Sequence, residues 1–147
     1  MKKIQLLFFS IAILGLISLN GCKTEGCTDP DSATFNTDAD KDDGSCEYDG
    51  SIVFWYGEDA ADGLTNDGAT SLTFYLDGQI VGSTSTSVFW TAAPTCGDNA
   101  SITATKDLSN VKTQSYSYRV VDQTDYEYWS GTVNINANTC LQQELSW

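Results

Sequence analysis

The sequence predicts an all-β protein, a single small β-sandwich of seven to eight strands stapled by disulfides. Three observations carry this expectation. From Ser51 onward, short apolar or alternating runs recur at even spacing between Gly, Asp and Asn residues. An Asp77-Gly78 pair stands between two of those runs, the strongest short hairpin signal a sequence offers. No stretch within 51–147 carries a convincing helical period.

The elements follow in order. Residues 52–56 are a continuous β-branched and aromatic run. Residues 57–70, with Glu58, Asp59, Asp62-Gly63 and Asp67-Gly68, read as a long connecting loop of the kind that makes contacts on a rigid sandwich. Leu72, Phe74 and Leu76 alternate with Thr73 and Tyr75, and Gln79-Ile80-Val81 returns after the turn. Residues 88–90 form a short piece before a loop at 94–97. Ile102 and Ala104 alternate within 101–105, and Tyr116, Tyr118 and Val120 alternate with Ser117 and Arg119. Trp129, Gly131, Val133 and Ile135 alternate with Ser130, Thr132 and Asn134, and residues 141–147 close the chain.

What precedes the domain is an address. Lys2 and Lys3 lead an apolar run over 4–19, the layout of a secretory signal peptide at 1–21. The run is roughly 16 residues, short of the ~20 a spanning helix needs. Leu19-Asn20-Gly21-Cys22 resembles the bacterial lipobox. The resemblance implies cleavage before Cys22, acylation of its thiol and new amino terminus, and a lipid-anchored tether at 22–26. Several acyl chains hold firmly where one does not, so the membrane is the implied partner. Lys23, in place of an inner-membrane Asp signal, favours the outer membrane, at its periplasmic face or the cell surface.

With Cys22 assigned to lipid, four of the five cysteines remain. Three pairings exist on paper. Cys27 with Cys46 and Cys96 with Cys140 are favoured, because the first pair brackets a polar segment and the second lies within the hydrophobic part. Closing loops of about 20 and 45 residues stabilises by roughly 3 and 4 kcal/mol on the chain-entropy account.

Residues 27–50 are an acidic disulfide-closed loop without apolar periodicity, shaped by its disulfide and turn residues. Cys27-Thr28-Asp29-Pro30, Ala33, Phe35-Asn36, Ala39 and Asp42-Asp43-Gly44-Ser45-Cys46 resemble a short cysteine module of secreted and surface proteins of Bacteroidota, a module with no settled activity. Asp38, Asp40 and Asp42 alternate, and Asp49 follows eleven residues after Asp38, as in calcium loops. Asp43 stands where an EF-hand needs Gly, which excludes a true EF-hand and leaves two readings open, a solvated acidic spacer that holds the domain off the lipid surface and an irregular calcium site.

Composition bounds the function. With 20 acidic and 7 basic residues and a formal charge of −13, the chain is not a nucleic-acid binder. Removing residues 1–21, which hold two lysines and no acid, takes the charge to −15. There is no histidine, no nucleophile elbow and no P-loop, so no enzyme is expected. The least favoured reading is a carboxylate hydrolase using two of Glu58, Asp59, Glu127 and Glu144. The stretch Leu72-Thr73-Phe74-Tyr75-Leu76-Asp77-Gly78-Gln79-Ile80-Val81-Gly82-Ser83 resembles the first hairpin of PEGA-like surface modules. That implies a transthyretin- or immunoglobulin-like, non-catalytic sandwich. The expected function is display of this sandwich for binding or adhesion to a protein or glycan. The alternative is an accessory carbohydrate binder using exposed aromatics, with Tyr126 and Tyr128 on one strand face and Trp129 turned inward.

Overall fold

The computed structural model describes residues 23–147; the signal segment 1–21 and the lipidation candidate Cys22 lie outside the described residues. The elements run β1 (Tyr48–Trp55), α1 (Glu58–Asn66), β2 (Ser71–Leu76), β3 (Gln79–Ser85), β4 (Ile102–Ser109), β5 (Thr113–Asp122), β6 (Glu127–Asn136) and β7 (Cys140–Glu144). Two sheets form, one ordered β4-β1-β7 and the other β3-β2-β5-β6. All pairs are antiparallel except β1 with β7, which run parallel with Ser51 opposite Cys140.

The alternating residues explain the packing. Leu72, Phe74 and Leu76 of β2 and Tyr116 and Val120 of β5 are buried against Ile52 and Phe54 of β1. Phe54 sits between the sheets, its ring centroid 5.7 Å from Phe74 and 5.5 Å from Tyr118. Asp77 and Gly78 both take positive φ, 51° and 74°, as a type I′ turn requires. On β6, Gly131 lies opposite Tyr118, whose ring occupies the space a Cβ would need.

β1 buries both faces. Val53 is fully buried yet stands outside the inter-sheet cluster. Its ladder partners are Thr103 and Gln142. Both reach into the 94–97 loop: Gln142 Nε2 donates to the Pro94 carbonyl (2.9 Å), and Gly97 N–H donates to Thr103 Oγ1 (3.0 Å). The Cys96–Cys140 disulfide pins that loop to the start of β7. The second sequence-favoured bridge therefore clamps a flap over the outer face of the smaller sheet.

Two expectations are corrected. Residues 57–70 are not a loop, because α1 spans Glu58–Asn66 and buries Ala60, Ala61 and Leu64. Those residues recur at 3- and 4-residue spacing, and two acids stand in the first turn, where the helix dipole favours them. Gly68, with φ 85°, ends it: Ala69 N–H donates to the Leu64 carbonyl and Gly68 N–H to that of Thr65, a Schellman motif. A nine-residue helix gives so short a period that Gly and Asp punctuation masks it. Residues 88–90 form no strand; Val88 N–H donates to the Ser85 carbonyl (3.0 Å) in a turn, and Trp90 N–H donates to the Tyr56 carbonyl (2.9 Å). Seven strands result.

The acidic loop is more than a disulfide and turns. Cys27–Cys46 closes it. Ser32 and Thr34 hydroxyls donate to the carbonyls of Glu47 (2.7 Å) and Ser45 (2.8 Å), and Asp29, Asn36, Asp42 and Asp43 side chains cap their own turns. Strand β1 starts at Tyr48, inside the expected loop boundary of 50. The loop docks on the sandwich where the Tyr48 hydroxyl donates to Asp29 (2.8 Å) and Lys112 pairs with Asp29 (2.6 Å) and Asp31 (3.2 Å).

Candidate functional site

All four tryptophans, at positions 55, 90, 129 and 147, gather at the end of the sandwich where β1 and β7 finish. Parallel pairing of β1 with β7 brings this about, because both strands then exit at the same end. Main-chain bonds fix the walls: Leu145 N–H donates to the Trp55 carbonyl (2.9 Å), and Trp90 N–H to the neighbouring Tyr56 carbonyl. Between these walls and the first turn of α1 runs an open groove of about 590 Å³. Trp55, Phe89, Trp90 and Trp147 supply its aromatic surface, and Glu58, Asp59 and Glu144 its charge. A second groove of about 360 Å³, lined by Tyr126, Tyr128, Trp129, Asp67 and Glu127, lies on the other side of Trp147.

Trp147 is the shared wall. Its indole lies against α1 at Gly63, where a Cβ would fall 2.3 Å from the ring, so only glycine allows this approach. The ring is 59% exposed, with Tyr128 at 5.8 Å and Trp129 at 6.4 Å between centroids. Trp129 is tied to the same segment through Nε1–H to the Ser146 carbonyl (2.8 Å) and stacks on buried Tyr56 at 6.2 Å and 21°. Burial pushes the Tyr56 phenol up to about 12, so it stays neutral and donates to the Ser85 carbonyl. Trp55 contributes a different feature. Its Nε1–H is buried and has no hydrogen-bond partner among the described residues.

The expected pair Tyr126 and Tyr128 does lie at this end, but not as two exposed rings opposite an inward Trp129. The β5–β6 register slips there: Val120 faces Trp129 and Val121 faces Glu127, leaving Tyr128 as an extra residue. Such a bulge breaks alternation. Tyr128 and Trp129 are consequently both half-buried and touch at 5.8 Å, while Tyr126 stays 62% exposed and meets Tyr128 edge-on at 5.1 Å. The turn that aims Tyr126 is organised by Asp122, whose Oδ1 accepts from Thr124 N–H, Thr124 Oγ1 and Tyr126 N–H. Burial pushes its carboxyl up, and the bonds from Thr124 and Tyr126 outweigh that and hold it below the usual carboxylate range.

The other expected site residues are dispersed or divided. Asp38, Asp40 and Asp42 are exposed on the acidic loop, and Asp49 belongs to β1. Among the described residues no group of three or more acidic or cysteine side chains is arranged to hold a metal ion. Calcium binding thus rests on sequence spacing alone. Of the four carboxylates considered for hydrolysis, Glu58, Asp59 and Glu144 share the larger groove, and Glu127 lines the smaller one beyond Trp147.

Sequence reasoning missed Trp55, Phe89, Trp90, Glu58 and Asp59 as members of one site. The signal within reach was α1 itself, whose acidic first turn had to abut the strand ends it connects. No protein-family model, curated protein or solved structure matches this chain.

Proposed function

We propose that this chain is a lipid-anchored, non-catalytic protein of the outer membrane that displays a carbohydrate-binding groove. The observation that carries the reading is the convergence of three tryptophans, Phe89 and three carboxylates on one open groove, with Trp129 in the groove beside it. Flat indole faces take the C–H faces of sugar rings, and carboxylates accept from sugar hydroxyls. Orientation supports it as well. The tether and acidic loop enter at Tyr48, the start of β1, and the groove lies past Trp55, its end. An eight-residue strand is about 25 Å long, so the groove faces away from the anchor. A sandwich that holds its ligand site at the far end from its lipid is suited to capturing a polymer in front of the membrane.

The test is tryptophan fluorescence of the full chain in detergent, titrated with neutral and charged oligosaccharides. Saturable quenching that is lost in Trp147→Ala is expected. Release of reducing ends from any bound oligosaccharide would overturn the non-catalytic part of the reading, and flat titrations across all sugars would overturn the whole. Labelling with radioactive palmitate, lost in Cys22→Ser, tests the anchor.

A further inference from the structure

We infer that the groove selects sugars carrying a free amine, of the glucosamine type; this rests on the carbohydrate-binding reading above. Charge balance is the first argument. Glu58, Asp59 and Glu144 line the larger groove and Asp67 and Glu127 the smaller, and no Lys or Arg lines either. Among the described residues, four of the five cations are engaged elsewhere. Lys41 pairs with Glu25, and Lys112 with Asp29 and Asp31. Lys106 lies over the Tyr116 ring and Arg119 over that of Tyr75. No ion pair among the described residues reaches the groove carboxylates, so a cationic ligand meets uncompensated negative charge. An acidic sugar meets repulsion there.

The aromatic walls point the same way. Indole faces carry negative quadrupole and attract an ammonium as well as sugar C–H groups. Within the carbohydrate class, an amino sugar brings an ammonium for the carboxylates and C–H faces for the indoles. The ammonium separates this ligand class from neutral and acidic glycans.

The experiment compares β-1,4-linked tetramers of glucosamine, N-acetylglucosamine and glucose on the full chain in detergent, by calorimetry and tryptophan fluorescence. The three differ only in the substituent at C2. At a pH that keeps the amine protonated, the glucosamine tetramer is expected to bind at least tenfold more tightly than the other two. The advantage is expected to shrink as salt rises and to vanish when the amine is deprotonated. Glu58→Gln combined with Glu144→Gln changes two exposed side chains, and is expected to bring the glucosamine and N-acetylglucosamine tetramer affinities to within about twofold of each other. Equal affinity for all three sugars, or preference for the acetylated one, overturns the amine selectivity and leaves sugar binding standing. Binding of none of them overturns the carbohydrate reading beneath it.

Discussion

Two glycines show how differently a single added methyl group acts in this chain. A Cβ at Gly50 would fall 2.4 Å from the Asn136 carbonyl oxygen and 2.7 Å from Ile135 Cγ2, both parts of the packed sandwich. Gly50→Ala is expected to lower stability by about 1–3 kcal/mol, read as a lower urea midpoint. At Gly63 the obstacle is the exposed Trp147 ring, a side chain that can swing aside. Gly63→Ala gains helix propensity of up to about 1 kcal/mol, so its melting temperature should hold or rise. Its near-ultraviolet circular dichroism should nonetheless lose the Trp147 contribution, and sugar-induced quenching should fall. A Gly63→Ala chain that keeps both signals would refute the seating of Trp147 on α1. The ion pairs at the acidic loop carry a pH signature. Lys112 donates to Asp29 and, with the Tyr48 hydroxyl, holds that carboxyl below its ordinary 3.8. Asp29 and Asp31 in turn hold the Lys112 ammonium above its ordinary 10.5. A lowered acid stabilises the docked state above 3.8 and loses that contribution as pH falls through its folded value. A raised lysine stabilises below 10.5 and loses it as pH rises through its folded value. Protection of loop amides in hydrogen exchange should therefore be flat from about pH 4 to 10 and decline outside, with the acid decline smaller in Asp29→Asn, where the Asp43 carboxyl, held low by its bonds from Ser45, still contributes.

At the level of elements, the two disulfides do unequal work. Cys96–Cys140 pins the flap over Val53 and the start of β7, the strand that leads to the groove. Cys96→Ser with Cys140→Ser is expected to cost about 4 kcal/mol on the chain-entropy account. It should also raise exchange at Val53 and weaken sugar binding. Cys27→Ser with Cys46→Ser should loosen the acidic loop and leave the β1–β7 amides protected. Equal effects of the two pairs on the sandwich would contradict this division. The strands were legible because alternation reports burial directly: the β2 pattern of Leu72, Phe74 and Leu76 is buried residue for residue. Helix α1 was not, since nine residues hold barely two and a half turns and their small buried side chains, Ala60 and Ala61, leave a weak apolar stripe. The bulge at Tyr128 was hidden for another reason. It is a property of pairing with β5, and nothing within 126–129 marks it.

Across the whole molecule, the acidic loop and the groove stand at opposite ends of β1. Because every tryptophan sits at the groove end, fluorescence reports on that end alone. In liposomes carrying the acylated chain, lipid-borne quenchers should leave the emission untouched while soluble acrylamide quenches it. Quenching from the bilayer would place the groove against the membrane and refute the display geometry. The sequence by itself determined the sandwich class, the hairpin at Asp77-Gly78 and the two disulfide pairs, since each depends on local alternation, backbone conformation or the partition of cysteines between two segments. Only the tertiary structure decided the site. Trp55, Trp90, Trp129 and Trp147 are far apart along the chain, and it is the parallel pairing of β7 beside β1, with α1 folded back at Gly63, that collects them. Long-range pairing is a choice among registers that all satisfy the same local pattern, so it is settled by packing and not by any one segment.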